Sequence, residues 1–332
     1  MSAVMTRTLG RSGIEVSALG MGCWAIGGPA QAPVSLGSGH FGWGDVDDEE
    51  SIRAIHAALA AGVTFFETSD VYGAGHSEQV LGRALAGRRQ QSVICTKFGF
   101  TFDGPTRRML GRDASPEYIR RACEGSLSRL QTDYLDLYLL HIGEYDTDYL
   151  DDVCDVLEKL VVAGKIRAYG WCTWPDKVEG ARIFAQRKHC AAIEHRLNVL
   201  EDAPEMLALC DEYDLASINL APLAMGLLTG KLTQETRFPH NDVRHGWNLE
   251  TGPEANLLKQ AEQLRDILTS DGRTLAQGAL GWLWAHSQRA IPIPGFRTVK
   301  QVEENAGALQ AGALSARQMD EIEQLLKQRV AV

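Results

Sequence analysis

Short apolar runs alternate along this chain with stretches that repeat their apolar residues every three or four positions. Runs at 18–22, 63–68, 92–97, 134–141, 166–171, 191–195, 216–220 and 290–294 have the length of strands. Short apolar runs of this length read as strands. The intervening stretches read as helices. Residues 48–61 place Ile52, Ile55 and Leu59 at helical spacing behind an acidic first turn, which suits the positive end of the helix dipole. Ser115 followed by Pro116 supplies a cap and then a proline at the first helical position, opening a helix to about residue 130. Further helices fit 149–163, 177–188, 204–213, 255–268, 273–286 and 299–309, and a last one over 316–327 falls outside the repeat. At the start, Arg7-Thr8-Leu9 and Ile14-Glu15-Val16 flank Gly10-Arg11-Ser12-Gly13, the pattern of a hairpin.

Eight strand-then-helix units with no linker between halves predict the α/β class and a closed (β/α)8 barrel, with an N-terminal β-hairpin and an extra C-terminal helix. Residues 1–332 read as a single domain. Loops are expected at 27–46, rich in glycine, and at 237–253, rich in polar residues around Trp247. Both follow strands, at the face where barrel active sites form.

Composition narrows the partners. The 332 residues carry a net charge of −10, and no strongly basic stretch stands out, which argues against nucleic acid or an anionic membrane surface. The seven cysteines, Cys23, Cys95, Cys123, Cys154, Cys172, Cys190 and Cys210, are odd in number and contain no C-x-x-C. A disulfide framework or a zinc site is not expected, and a reducing, cytoplasmic compartment is. Residues 1–9 lack the long apolar core of a signal peptide, and no apolar run approaches a membrane span. The expected partner is a small molecule, without a metal, and the sequence does not fix an oligomeric state.

Candidate chemistry sits at the strand ends. Glu67 lies near the end of the second strand and Tyr72 just after it, Lys97 ends the third and His141 ends the fourth. A tyrosine next to a structural turn, a solvated lysine and a structural histidine are ordinary roles for each alone. Together at three consecutive strand ends of a barrel they form one set. A phenol is a weak acid at neutral pH. A nearby ammonium lowers its pKa, a carboxylate holds the ammonium, and an imidazole orients a carbonyl oxygen.

Longer motifs surround these residues. They are Gly62-Val63-Thr64-Phe65-Phe66-Glu67-Thr68-Ser69-Asp70-Val71-Tyr72-Gly73, closed by Gly75-His76-Ser77-Glu78; Cys95-Thr96-Lys97-Phe98-Gly99; Asp133-Tyr134-Leu135-Asp136-Leu137-Tyr138-Leu139-Leu140-His141; Gly164-Lys165-Ile166-Arg167; and Ile293-Pro294-Gly295-Phe296-Arg297-Thr298 with Gln301, Glu304 and Asn305. In these motifs the chain resembles the aldo-keto reductase superfamily from about residue 7 to 309. The resemblance implies NADPH or NADP+ lying across the strand ends without a Gly-x-Gly-x-x-Gly fingerprint, and metal-free reduction of aldehydes or ketones to alcohols. It implies Tyr72 as general acid, Lys97 lowering its pKa with Glu67 behind, and His141 orienting the carbonyl. Gly22, Cys23 and Trp24 would border the nicotinamide, together with Cys172, Thr173, Glu194 and Leu220, and Pro222, Leu223 and Gly226 would also bind the cofactor. Arg297 and Gln301 would face the ribose 2′-phosphate beside Gly295, Phe296 and Thr298, with Glu304 and Asn305 near the adenine. A guanidinium matches a phosphate bidentately and favours NADPH over NADH, and the helix start near Thr298 offers N–H groups to the same phosphate. Trp24 and Trp174 would line the substrate pocket, with Phe100 and Trp247 as further aromatic candidates and Trp171 paired with Trp174.

Four positions depart from the family pattern. Glu67 stands for an aspartate, Cys172-Thr173 for a Ser-Asn or Ser-Thr pair, Glu194 for a glutamine, and Leu220 for an aromatic or arginine. A carboxylate at 194 accepts from a carboxamide NH2 but does not donate to its carbonyl, and it favours the oxidised, cationic nicotinamide. Three readings stay open: a carbonyl reductase, an NADP+-dependent alcohol or sugar dehydrogenase, and a cofactor-binding sensor with slow turnover.

Overall fold

The computed structural model describes residues 4–33 and 39–330; residues 34–38 of the expected first loop and residues 1–3 of the N-terminus lie outside the described residues. β1 (Thr6–Thr8) and β2 (Glu15–Ser17) pair antiparallel as the expected hairpin. β3 (Gly20–Gly22), β4 (Phe65–Glu67) and β5 (Val93–Phe98) open the main sheet, and β6 (Phe100–Asp103) with β7 (Arg108–Arg112) forms a second antiparallel hairpin. β8 (Leu135–Leu140), β9 (Ile166–Cys172), β10 (Cys190–Arg196), β11 (Ala216–Leu220) and β12 (Ala290–Pro292) complete the main sheet. Its eight parallel strands run β12-β11-β10-β9-β8-β5-β4-β3. The two edges meet where Gly22 N–H donates to the Pro294 carbonyl at 3.1 Å, and Gly22 bridges Gly295 in parallel register. A Cβ on Gly22 would stand 2.8 Å from the Ile293 carbonyl oxygen, so the seam requires glycine. The architecture is a (β/α)8 barrel.

The helices are α1 (Asp48–Ala60), α2 (His76–Leu85), α3 (Pro116–Leu130), α4 (Leu150–Val162), α5 (Val178–Ala185), α6 (Pro204–Glu212), α7 (Pro253–Leu268), α8 (Leu275–His286), α9 (Val299–Ala311) and the extra α10 (Ala316–Val330). Local chemistry starts several of them. Asp47 accepts from the N–H groups of Glu49 and Glu50, and Ser115 accepts from Tyr118 N–H ahead of Pro116. Thr274 with Gln277, and Thr298 with Gln301, make capping boxes. α2 was not expected from the pattern. It begins on Gly75 in the left-handed region (φ 95°) rather than on a Ser, Thr, Asp or Asn cap, and buries Val80, Leu81, Ala84 and Leu85.

The period of two along each strand sorts the core into two layers. Phe65, Leu137, Leu139, Ala168, Ala192, Ile218 and Ile291 fill the barrel interior, and Leu9, Ile14 and Val16 of the hairpin close its lower end. Tyr138, Leu140, Tyr169, Trp171 and Ile193 face outward, against the helices. The hairpin is fastened by Arg11, whose guanidinium donates to the carbonyls of Ala185, Arg187 and Cys190.

Over the upper rim three connections interlock. Gln31 bridges Arg108 of β7, and Met109 N–H donates to the Gln31 carbonyl at 2.8 Å. Trp43 bridges Asp242, with Val243 N–H donating to the Gly42 carbonyl at 2.8 Å. The two expected long loops are therefore pinned to each other and to the β6–β7 hairpin by backbone hydrogen bonds.

Candidate active site

The same alternation carries five polar side chains, Glu67, Lys97, His141, Cys172 and Glu194, to the top of the barrel interior. Cys95 and Lys97 share the inward face of β5, Leu137 and Leu139 lead to His141 just past β8, Ala168 and Gly170 lead to Cys172, and Ala192 leads to Glu194. Glu67, at the end of β4, is registered against Cys95, and Cys172 against Glu194. A chain with one polar residue per inward row therefore collects them at one level.

Lys97 is the centre of this cluster and is fully buried. Its Nζ is ion-paired with Glu67 Oε1, stands 3.4 Å from Glu194 Oε1, donates to Tyr72 OH at 2.9 Å and reaches the Thr68 carbonyl at 3.2 Å. Tyr72 OH in turn donates to Glu67 Oε1 at 3.2 Å. The longer side chain of Glu67 thus still reaches the ammonium. His141 stands edge-on to Tyr72 with ring centroids 5.7 Å apart, and edge-on to Phe100 at 5.1 Å. Trp24 stacks on the other side of Tyr72 at 5.8 Å and is joined by Phe41. A phenol, an ammonium and an imidazole therefore meet under an aromatic wall.

Electrostatics depart from the expectation that Lys97 lowers the Tyr72 pKa. Burial, followed by the Glu194 carboxylate, raises it well above the ordinary phenol value. One ammonium faces two carboxylates, so the cluster has little positive charge left to stabilise a phenolate. His141 is pushed well below its usual value by burial and then by Lys97, so its ring is neutral at pH 7. Removing the cation would leave Glu67 and Glu194 buried without it. Lys97→Met should lower the unfolding free energy by about 3–5 kcal/mol, read by urea denaturation; an unchanged midpoint would contradict the pairing.

The remaining expected residues divide. Glu194 Oε1 accepts from Cys172 Sγ at 3.3 Å, while Glu194 Oε2 is buried without a hydrogen-bond partner. Thr173 is turned away, its hydroxyl donating to the Gly143 carbonyl at 2.7 Å. The side chains of Cys23, Leu223 and Phe296 pack into the layer between sheet and helices, leaving only their backbone toward the rim. Leu220 is half-buried at the end of β11, and Pro222 is buried beyond it. Gly226 has φ +106°, a conformation suited to glycine. Arg297 Nη1 donates to the Trp43 carbonyl at 2.9 Å, so the first loop closes onto it. The Gln301 Oε1 atom accepts from the N–H groups of Arg297 and Thr298; it is a helix cap, and only its NH2 end is left for a phosphate. Val299 N–H already donates to Glu50 Oε1 at 3.0 Å, so this part of the α9 terminus is taken by a carboxylate from α1. Glu304 pairs with Lys231 at 2.7 Å, and Asn305 Nδ2 donates to the Gly295 carbonyl at 3.4 Å.

Trp171 and Trp174 do not form a pair. Trp171 is buried against Phe184 with its N–H on the Ile142 carbonyl, whereas Trp174 is 49% exposed. They are three residues apart across a strand end, so the period of two sends Trp171 to the helices. Trp247 packs edge-on against Phe238.

The pattern of the Aldo/keto reductase family matches residues 33–327. The chain belongs to the aldo/keto reductase family. With it, the protein is an oxidoreductase. It is 32% identical over 321 residues to probable aldo-keto reductase 1 of Glycine max, covering 95% of this chain and 86% of that one. It is 31% identical over 317 residues to the aldo-keto reductase yakc [NADP(+)] of Schizosaccharomyces pombe, covering 92% and 87%. Among solved structures, the glycerol dehydrogenase AKR11B4 from Gluconobacter oxydans superimposes with a TM-score of 0.82 at 29% identity, covering 99% of this chain and 96% of that one.

Reading the sequence left out Ser69, Asp70, Glu50 and Trp43. Ser69 and Asp70 lie inside the quoted motif, but their partners emerge only once His141 is beside them. Glu50 carried a signal as one of three acids in a first turn, which the dipole explained without a further partner.

Proposed function

We propose that the protein is an NADP(H)-dependent carbonyl oxidoreductase that reduces an aldehyde or ketone to the alcohol. The observation that carries this reading is the Tyr72 hydroxyl at 2.9 Å from a fully buried lysine, with the neutral His141 ring beside it. The residues present fit the cofactor. Glu194 Oε2 is a buried acceptor without a protein partner, suited to a carboxamide NH2, and Arg297 offers a guanidinium to a phosphate beside Gly295. When bound, NADPH supplies a hydride to the carbonyl carbon. Tyr72 gives its proton to the carbonyl oxygen as negative charge develops there. Lys97 donates to that phenol oxygen at 2.9 Å and keeps this bond to the phenolate left behind, and His141 orients the oxygen. Trp24, Phe41 and Phe100 hold an apolar wall around the reacting carbon.

The reading is tested by following NADPH absorbance over a panel of aromatic, aliphatic and sugar aldehydes. Carbonyl-dependent loss of NADPH is expected; no loss with any carbonyl, despite bound cofactor, would count against it. Arg297→Leu should weaken NADPH binding by about tenfold to a hundredfold and change NADH binding little. Equal weakening of both would place the guanidinium away from the 2′-phosphate.

A second reading runs the same chemistry toward oxidation, with an alcohol and NADP+. It is favoured by the Glu194 carboxylate, which together with Glu67 outnumbers the one ammonium.

A further inference from the structure

Ser69 and Asp70 stand beside the histidine and have no part in the chemistry above. Both are buried, just past the end of β4. Ser69 Oγ lies 2.9 Å from His141 Nδ1 and 3.3 Å from Asp70 Oδ1. Asp70 N–H donates to the Lys97 carbonyl at 3.3 Å, so this turn is tied to the lysine strand. Ser69 occupies Nδ1, and Nε2 is the ring nitrogen left for the pocket.

We propose that Ser69, itself oriented by Asp70, is a positioning residue that fixes the ring tautomer of His141. A serine hydroxyl has one hydrogen to give. Given to Nδ1, it makes that nitrogen an acceptor, the ring hydrogen sits on Nε2, and the ring donates to a carbonyl oxygen. Given to Asp70, it forces Nδ1–H to donate to Ser69 Oγ. Nε2 then presents a lone pair, which repels a carbonyl oxygen. The choice is made at Asp70. A neutral Asp70 carboxyl donates its own O–H to Ser69 Oγ and releases the serine hydrogen to Nδ1; an ionised one takes it.

The surroundings of Asp70 favour the neutral form. Burial and then the Glu78 carboxylate raise its pKa well above the carboxylate range, against the Arg129 guanidinium and the hydrogen bonds of Ser69 and Val71 N–H. Tyr118 and Tyr138 complete the groups facing it. Glu78 is itself held by Arg129 at 2.6 Å and accepts from Thr96 Oγ1 at 2.6 Å. Because His141 is neutral, Ser69 controls which nitrogen carries the hydrogen rather than whether the ring is charged.

The consequence for turnover rests on the carbonyl-reductase reading; the tautomer does not. The test is 15N NMR of histidine-labelled protein, with the His141 signals assigned by their loss in His141→Gln. The expected wild-type ring has a protonated Nε2 and a bare Nδ1. Ser69→Ala should give a mixture of tautomers and lower kcat for carbonyl reduction about tenfold to a hundredfold, with NADPH affinity held within about twofold. Ser69→Thr, which keeps the hydroxyl, should restore both. A wild-type ring protonated on Nδ1, or an unchanged tautomer and kcat in Ser69→Ala, would overturn the assignment. A tautomer that responds to Ser69→Ala in a protein without carbonyl turnover would support the assignment and count against the reductase reading.

Discussion

Tyr72→Phe should lower carbonyl turnover by about 10²–10⁴-fold and leave NADPH affinity within about twofold. The substitution removes one oxygen, and that oxygen is both the proposed proton donor and the acceptor of the Lys97 N–H at 2.9 Å. The ring remains to stack on Trp24. Lys97 keeps its ion pair with Glu67 and its contact with Glu194, so the buried carboxylates keep their partner and folding should be preserved. kcat and kcat/KM should fall together, because the lost interaction belongs to the transition state. Retained turnover in stopped-flow or steady-state assays would mean that the proton comes from another group.

The second large effect is expected at Glu194. Its free Oε2 and its place 3.4 Å from Lys97 Nζ put a negative charge beside the expected nicotinamide. The oxidised nicotinamide is cationic and the reduced one neutral. Two unit charges about 6 Å apart at an effective dielectric near 20 attract by about 3 kcal/mol, an amount that Lys97 partly offsets. Glu194→Gln should therefore tighten NADPH and loosen NADP+, changing the ratio of their dissociation constants by about tenfold. Glutamine also donates to the carboxamide oxygen, which a carboxylate does not. The same variant should lower the Tyr72 pKa, because Glu194 is the largest charge contribution raising it after burial. Fluorescence titration with both cofactors measures the ratio; no change, or tighter NADP+, would place Glu194 away from the ring.

The barrel was legible because its strands are buried on both faces and read as apolar runs, and because Pro and Ser mark the start of α3. α2 escaped because Gly75 starts it through a left-handed backbone, a conformation that resembles a turn in sequence. The β6–β7 hairpin escaped although Gly104-Pro105 separates alternating Phe100-Thr101-Phe102 from Arg108-Met109; its strands are short and lie outside the barrel repeat. The rim pairing of Trp43 with Asp242 is made by backbone groups of segments far apart in the chain, and side-chain pattern carries no record of it. At the site, Glu67, Tyr72, Lys97 and His141 converge as strand ends should. The direction of the Tyr72 pKa was not legible, since it is set first by burial of the phenol and then by the Glu194 carboxylate from another strand of the barrel. The role of Gln301 was within reach, because Thr298-Val299-Lys300-Gln301 spells a capping box.

The most direct measurement is the fate of a deuterium. Protein is incubated with NADPH carrying deuterium at both C4 positions and with the best aldehyde of the panel, and the alcohol is analysed by mass spectrometry and proton NMR. One deuterium on the carbinol carbon, with formation of that product slowed about 10²–10⁴-fold in Tyr72→Phe, is the predicted result. Product without deuterium at that carbon, or product formed equally fast by Tyr72→Phe, would contradict hydride transfer to a carbonyl protonated by Tyr72.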